Sequence, residues 1–432
     1  MNARVIVKKF IPSSLFQKIE PFGHLLEAIF FNLINGFPSR NLKVIGVTGT
    51  NGKTTTAFLI QKMLHEAGYK VGLMSTVGYG VGDNITPQIH HMTNVSVPEM
   101  MKRLKAMKRQ KIEWLVLETT SHALAQNRVW GVPYSIAVFT NITHEHLAYH
   151  RTFERYRDAK RKLFVLANKN KKGYRAGVIN AEDPSCDVFA RSIAQPITYG
   201  IDSGDLRASD VQLTTKGVHY TAKIDNDSYD IQCQIPGTFN VYNSLAVVAV
   251  GRIIGLSKQE IENGIASLAG VEGRMTTVDE GQDFTVIVDY AHTPDSFEKV
   301  FKDMKPTVKG KMIVVFGSLG QGDKGKRALQ GKLSGEYADE VIVCEEDDRK
   351  EDGQAIMDEI AAGAESAGKK RDVDLFLVHD RPEAIAFAFK RVRKNDTVLL
   401  LGKGHEKTIE HADGEHPWDE IGTAREALHR LT

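Results

Sequence analysis

The chain predicts an α/β protein: a P-loop central domain with a parallel sheet, followed by a C-terminal Rossmann-like α/β domain. Three observations carry this. A short apolar run at 43–48 meets a glycine-bearing turn whose Lys53-Thr54 opens a helix. From there, short β-rich runs alternate with helical stretches, as a parallel sheet flanked by helices requires. The rhythm then restarts near Val271. The expected divisions are a short apolar N-terminal segment at 1–41, a central P-loop domain at 42–270 and a C-terminal Rossmann-like domain at 271–432.

Taken in order, residues 10–37 are apolar and rich in aromatics, with few charges. Their plain reading is a helix packed on the body of the protein. The sharper one is an interfacial helix giving peripheral membrane contact, because Lys8 and Lys9 precede it and the aromatics cluster. No stretch reaches the roughly 18 to 20 apolar residues of a membrane span, and no cleavable signal pattern is present. Residues 114–117 read as a buried strand delivering Glu118, and 136–139 as another delivering Thr140 and Asn141. Ligands of open α/β sheets sit beyond such strand ends, so both polar clusters should converge on the loop after residue 48. Residues 208–234 alternate polar and apolar, suggesting a small antiparallel patch, and 240–255 read as a helix. In the second unit, strands are expected at 284–288, 312–316, 340–343, 374–378 and 397–401, with helices at 326–337 and 353–362 between them.

The 432 residues are 42% hydrophobic and 25% charged, enough for two or three packed domains. With 56 basic against 54 acidic residues, nothing asks for nucleic acid as the main partner, and a small ligand is expected. Cys186, Cys233 and Cys344 lie far apart without CxxC spacing, which excludes a disulfide framework or zinc site and suits a reducing cytoplasm.

The chemistry centres on Gly49, Thr50, Asn51, Gly52, Lys53, Thr54 and Thr55. Backbone N–H groups of such a turn and of the following helix face an anion, and glycines allow close approach. Lys53 reaches the terminal phosphates and the Thr54 hydroxyl suits Mg²⁺. Val47 stands where the common form of this loop has its first glycine. Glu118 and His146 follow buried strands and supply the carboxylate and imidazole of a Mg²⁺ site beside a nucleotide. His144 is a weaker candidate, sharing a face with His146 only on an extended segment.

Ten ordered runs carry a family resemblance: 49–55, 118–124, 140–150, Asp158-Ala159-Lys160, 180–184, 239–243, Gly273-Arg274-Met275, 289–294, 323–327 and 402–406. Together they resemble the Mur ligases over about residues 42 to 432, and among them the branch adding the third residue to a UDP-N-acetylmuramoyl-dipeptide. The resemblance implies a cytoplasmic, monomeric, ATP- and Mg²⁺-dependent ligase of peptidoglycan synthesis. Such an enzyme phosphorylates a carboxylate and lets an amine displace the phosphate. By matching position, Lys53 and Thr54 bind ATP phosphates and Mg²⁺, while Glu118 and His146 hold a second Mg²⁺. Lys160 falls on the family's carbamylated lysine. Asn240 and Asn243 match an adenine-contacting pair, Arg274 an arginine that swings onto ATP, and Asp289 and His292 a segment closing on the nucleotide. Thr93, Thr120, Gln126 and Arg128 fall with the muramoyl-peptide acceptor, and Arg349, Gly402 and Glu406 with the free amino acid. For Asn240, Asn243, Arg274, Asp289 and His292 the bland reading is a capping or core polar residue, and for Lys160 an unmodified surface lysine.

Three departures qualify the match. About forty residues precede the loop, where family members carry a UDP-binding domain, so a lipid-linked or other non-UDP acceptor is an alternative. Diaminopimelate enzymes carry Asp-Asn-Pro-Arg where this chain has Glu346-Asp347-Asp348-Arg349, a run that reads either as an attractor of cationic side chains or as a solvated loop. Gly322 replaces an arginine that grips the amino acid. Competing expectations are a relative of folylpolyglutamate synthetase and a non-catalytic nucleotide-binding scaffold.

Overall fold

The computed structural model describes residues 13–88, 93–143 and 146–431. Lys8, Lys9 and His144, named above, lie outside the described residues, as do 10–12 of the apolar segment. The chain divides into two compact units. One comprises Met1–Asp210, Tyr220–Ile231 and Val241–Leu268, and the other Val211–His219, Gln232–Asn240 and Ala269–Thr432.

The larger sheet comprises strands β1 (Lys43–Thr48), β2 (Val71–Met74), β3 (Gly78–Val81), β4 (Asn84–Pro87), β5 (Trp114–Glu118), β6 (Tyr134–Phe139), β7 (Ala176–Asn180), β8 (Gln195–Gly200), β9 (Leu206–Thr214), β10 (Gly217–Ile224) and β11 (Asp227–Cys233). Their order is β11-β10-β9-β8-β7-β6-β1-β5-β2-β3-β4. The middle strands are continuous apolar runs because helices cover both faces, and β5 and β6 are buried at every position. β1 lies between β5 and β6, parallel to both, with Val47 opposite Glu118 and Thr48 opposite Phe139. That register sets the loop after β1, the Glu118 carboxylate and the Thr140-Asn141 pair side by side at the C-terminal ends of three adjacent central strands. The alternating segment near 208–234 is attached to the main sheet. β9 pairs parallel with β8 through Tyr199–Leu206 and Gly200–Arg207, so β9 to β11 extend the main sheet. Its alternation reflects one buried and one wet face.

The N-terminal segment forms a helix, Ser13–Ile34, with Pro21 inside it. Ala28 and Asn32 are wholly buried, and Asn32 Nδ2 donates to the Trp130 carbonyl at 3.1 Å. Among the described residues no helix is long and apolar enough to cross a membrane.

In the second unit β12 (Thr276–Val278), β13 (Thr285–Asp289), β14 (Met312–Phe316), β15 (Glu340–Val343), β16 (Leu375–Leu377) and β17 (Thr397–Leu401) form a sheet ordered β12-β13-β17-β14-β15-β16. All pairs are parallel except β12 with β13. A hairpin of β18 (Thr408–His411) and β19 (Gly414–Pro417) follows. Arg381, wholly buried, pairs with Glu420 at 2.6 Å and donates to the Leu401 carbonyl at 2.8 Å. This fixes the end of β17, where the next polar cluster begins.

Candidate active site

The loop after β1 is held from several directions. The Thr50 N–H donates to the Asn141 carbonyl at 2.7 Å and the Asn51 N–H to Asn141 Oδ1 at 2.9 Å. Thr140 Oγ1 donates to the Asn51 carbonyl at 2.6 Å. A side chain at Gly49 would collide with the Thr140 hydroxyl. Gly52 has φ of 80°, and a Cβ there would collide with Asn243 Oδ1. Helix Lys53–Glu66 then starts, its first-turn N–H groups lacking intrahelical acceptors. Lys53 Nζ donates to the Thr50 carbonyl at 2.7 Å, folded back over the loop, and Thr55 is buried behind it.

Glu118 is buried and closely fixed. Its carboxylate accepts from Thr54 Oγ1 at 3.1 Å, from the Thr76 N–H at 2.9 Å and from Thr76 Oγ1 at 3.0 Å. Thr76 also meets the Thr93 hydroxyl at 2.8 Å. Asn94 organises the next layer. Its amide donates to the Glu118 carbonyl at 2.8 Å and accepts from the Thr120 N–H at 2.8 Å and the Thr120 hydroxyl at 2.9 Å, while Arg128 Nη1 donates to the Asn94 carbonyl at 2.8 Å. Thr120 also caps the short helix Ser121–Ala125, and Gln126, just after it, hydrogen-bonds Tyr149. Thus Thr93, Thr120 and Arg128 form one connected group through Thr76, Glu118 and Asn94, and Gln126 is held separately on Tyr149.

Helix Phe153–Lys169 places Tyr156 and Lys160 one turn apart, both buried. Lys160 Nζ donates to the Gly49 carbonyl at 2.5 Å and lies 4.5 Å from the Tyr156 ring centre, while Tyr156 Oη meets Thr50 Oγ1 at 3.1 Å. His146 has φ of 55°, keeps an open edge, and stacks edge-on with His122 and Tyr156. Desolvation by the surrounding protein, then the charges of Lys160 and Lys53, hold its imidazole down to about 4. His122 and His150 are likewise lowered to about 4, first by burial, then by neighbouring histidines and last by cations, Arg128 and Lys160 for His122 and Lys160 for His150. A cleft of about 570 Å³ lined by His150, Arg151, Arg155 and Asp158, among others, opens here.

The second unit gathers its own group at the strand ends. Asp289, at the end of β13, accepts from the Met275 and Ala291 N–H groups, each at 2.8 Å, so it shapes the turn. Its burial raises its proton affinity against the pull of Arg274. Arg274 stacks on the Tyr290 ring at 4.7 Å, its Nε without a hydrogen-bond partner among the described residues. His292 Nδ1 lies 2.8 Å from the Tyr290 carbonyl.

Beyond β15 the acidic run is not a solvated loop. Glu345, Glu346, Asp347 and Asp348 are all buried. His411 meets Glu345 and His379 meets Asp348, each at 2.9 Å, while Lys403 Nζ, fully buried, bridges Asp347 and Glu406, each at 2.8 Å. Glu346 keeps a buried oxygen, Oε2, with no hydrogen-bond partner among the described residues, and Gly402 backs onto that oxygen. Arg349, at φ of 56°, is tied to Glu410 at 2.9 Å. Gly322 is exposed and has room for a side chain, with Leu319 at 3.5 Å as the nearest contact.

The two members of the expected adenine pair are held differently. Asn240 Nδ2 donates to the Pro236 carbonyl at 2.7 Å. Asn243 Oδ1 accepts from Thr56 Oγ1 at 3.2 Å, at the back of the loop. Sequence reasoning missed Thr76, Asn94, Tyr156 and Lys403 as site residues. Only Lys403 carried a local signal, inside the run Gly402-Lys403-Gly404-His405-Glu406.

A glycine loop opening a helix beside a fixed carboxylate, with a second polar centre at the ends of a Rossmann-like sheet, defines a phosphate-handling α/β enzyme. Residues 47–251 match the Mur ligase middle domain and 273–404 the Mur ligase glutamate ligase domain. The chain is 41% identical over 408 residues to UDP-N-acetylmuramyl-tripeptide synthetase of Roseiflexus sp. (strain RS-1), covering 92% of this chain and 80% of that protein. It is 39% identical over 414 residues to UDP-N-acetylmuramoyl-L-alanyl-D-glutamate--2,6-diaminopimelate ligase of Geobacillus thermodenitrificans (strain NG80-2), covering 95% and 83%. A solved structure of a ligase with that same diaminopimelate name superposes with a TM-score of 0.67 at 28% identity, covering 96% and 83%. A folylpolyglutamate synthase of Mycobacterium tuberculosis shares the fold, with a TM-score of 0.70 at 16% identity over 94% of each chain. The chain belongs to the Mur ligase family, and it is a ligase.

Proposed function

We propose that this chain is an ATP-dependent amide ligase of peptidoglycan precursor synthesis, which activates the carboxylate of a muramoyl-dipeptide as an acyl phosphate and joins it to an amino acid with a second cationic group. The observation that carries this is the loop at 49–55 with Lys53 folded over it, Thr54 on Glu118 and Lys160 on the Gly49 carbonyl. The loop and the helix start bind the ATP phosphates, and Lys53 follows charge onto the transferring group. Thr54, beside Glu118 at 3.1 Å, offers a hard oxygen donor to the Mg²⁺ of the phosphates, and Glu118 with His146, neutral above about 4 with a ring lone pair to give, would hold the second Mg²⁺. When bound, Mg²⁺ neutralises charge on the phosphates. Asn243, Arg274, Asp289 and His292 serve the nucleotide, with Asn240 as its weaker member.

Lys160 carries a carbamate in this reading. Its neutral amine attacks carbon dioxide, an N–C bond forms and a proton leaves, and burial favours the neutral form of an amine. Thr93, Thr120, Gln126 and Arg128 hold the acceptor. Arg349, Gly402 and Glu406 frame the amino acid, and the unpartnered Glu346 oxygen receives its extra ammonium. The protein acts in the cytoplasm as a monomer, with residues 10–37 making a peripheral membrane contact. That helix favours a second reading for the acceptor, a muramoyl-peptide carried on lipid.

The test is phosphate release from ATP across a matrix of acceptors, with and without UDP, and amino acids including lysine, ornithine and diaminopimelate. Release that needs both an acceptor and a diamino acid is expected. Release with no pair would favour the scaffold, and release only with a lipid-linked acceptor would select the second reading. A Lys160→Ala variant with full activity and no bicarbonate dependence would refute the carbamate.

A further inference from the structure

Helix Ser13–Ile34 turns large apolar side chains toward solvent along one side. Phe22 is 70% exposed, Leu26 68%, Phe30 56% and Leu33 61%, with Ile19 before them. Steps of three and four residues set all five on a single stripe, while Ala28 and Asn32 bury the opposite side. A contiguous row of this kind differs from the scattered apolar residues of an ordinary surface.

Helix Val97–Arg109 packs against it and shares its core layer, burying Met100, Met101, Leu104 and Met107. Its outer face carries Lys102, Lys105, Lys108 and Arg109, all exposed, with Lys111 just beyond. The acidic groups nearby are few: Glu99 meets Arg103 at 3.0 Å and Lys102 at 3.9 Å, and Glu27 meets His24 at 3.4 Å, which leaves Lys105, Lys108 and Arg109 as the main exposed charges of this face.

We propose that these two helices form one docking surface for an anionic lipid bilayer, the apolar stripe entering the boundary between headgroups and acyl chains and the lysine row binding acidic headgroups. This rests on the peripheral-membrane reading above and adds to it the lipid chemistry and the second helix. The helix lies in the interface rather than across it, since it is not apolar enough to span. Charge decides between a bilayer and a second copy of the chain. Apolar stripes alone suit self-association, but pairing them would carry two lysine-rich helices toward one seam, whereas acidic headgroups complement them.

The test is co-sedimentation of the full chain with vesicles of phosphatidylcholine alone and of phosphatidylcholine mixed with phosphatidylglycerol. Binding to the mixed vesicles that weakens with salt is expected. A Phe22→Ser/Phe30→Ser variant should lose it, and Lys102→Ala/Lys105→Ala/Lys108→Ala should bind roughly a hundredfold more weakly, at about 1 kcal/mol per basic residue. All five positions are exposed, so both variants should keep the wild-type urea midpoint and phosphate release in solution. Equal, salt-insensitive binding to both vesicle types overturns the lysine role and leaves the contact itself standing. No binding to either overturns both. A dimer in light scattering that the phenylalanine variant dissolves, without vesicle binding, assigns the stripe to a second copy and overturns the proposal.

Discussion

Replacing Glu346 by glutamine separates a substrate contact from an internal charge partner. The carboxylate is 3% exposed with Oε2 unpartnered among the described residues, and burial raises its proton affinity despite the pull of Lys326, Lys403 and Arg381. Glutamine keeps the volume and removes the charge. No hydrogen bond to Oε2 is lost within the protein, so stability should hold or rise by about 1 kcal/mol. The advantage of the variant should be largest at neutral pH and vanish in acid, where Glu346 takes up a proton and both side chains are neutral. If this oxygen receives the ammonium of the incoming amino acid, the variant loses a charge-assisted bond of about 1.5–3 kcal/mol, or roughly 10- to 150-fold in apparent affinity. The assay is phosphate release at saturating ATP and acceptor with the diamino acid varied, beside urea unfolding of both proteins. An unchanged KM together with a lowered urea midpoint would refute the reasoning, because Glu346 would then serve its lysine and arginine neighbours.

Lys403→Met strands Asp347 and Glu406 in the interior and should cost about 3–5 kcal/mol in urea unfolding; a loss near zero would mean that the triad is not a coupled unit. Gly52→Ala forces a side chain onto φ of 80° and against Asn243, so it should cost about 1–2 kcal/mol and abolish ATP binding by calorimetry, and retained binding would contradict the loop assignment. Unfolded histidines protonate near the ordinary 6.5, whereas His122, His146 and His150 resist protonation in the fold down to about 4. In that window the unfolded chain binds more protons, so stability present above it is lost as pH falls. Urea midpoints should therefore drop between about pH 7.5 and 5, and equal midpoints would show that the imidazoles are not desolvated.

Much of this was legible where structure is local. The runs at 312–316, 340–343 and 397–401 coincide with β14, β15 and β17, because a strand buried on both faces is written as an unbroken apolar stretch. Glu118 and Asn141 could be sent to the loop after β1 because a parallel strand announces where its C-terminal end lies. What failed was charge compensation across distance. The acidic run Glu346-Asp347-Asp348 left a wet loop and a cation-attracting site both open, yet His379, Lys403 and His411, which pair with Asp348, Asp347 and the neighbouring Glu345, come from segments 31 to 66 residues away. Thr76 and Asn94 reach Glu118 from a hairpin and a loop with no periodic signal, 42 and 24 residues away. The N-terminal helix shows the opposite failure: an apolar, aromatic-rich segment was read as a helix, but composition cannot say which side faces inward. Only burial reveals that Phe22, Leu26, Phe30 and Leu33 look out while Asn32 looks in. An inward asparagine under an outward phenylalanine row is costly for a helix that serves only to cover a sheet. It becomes reasonable once that row has an apolar surface to meet.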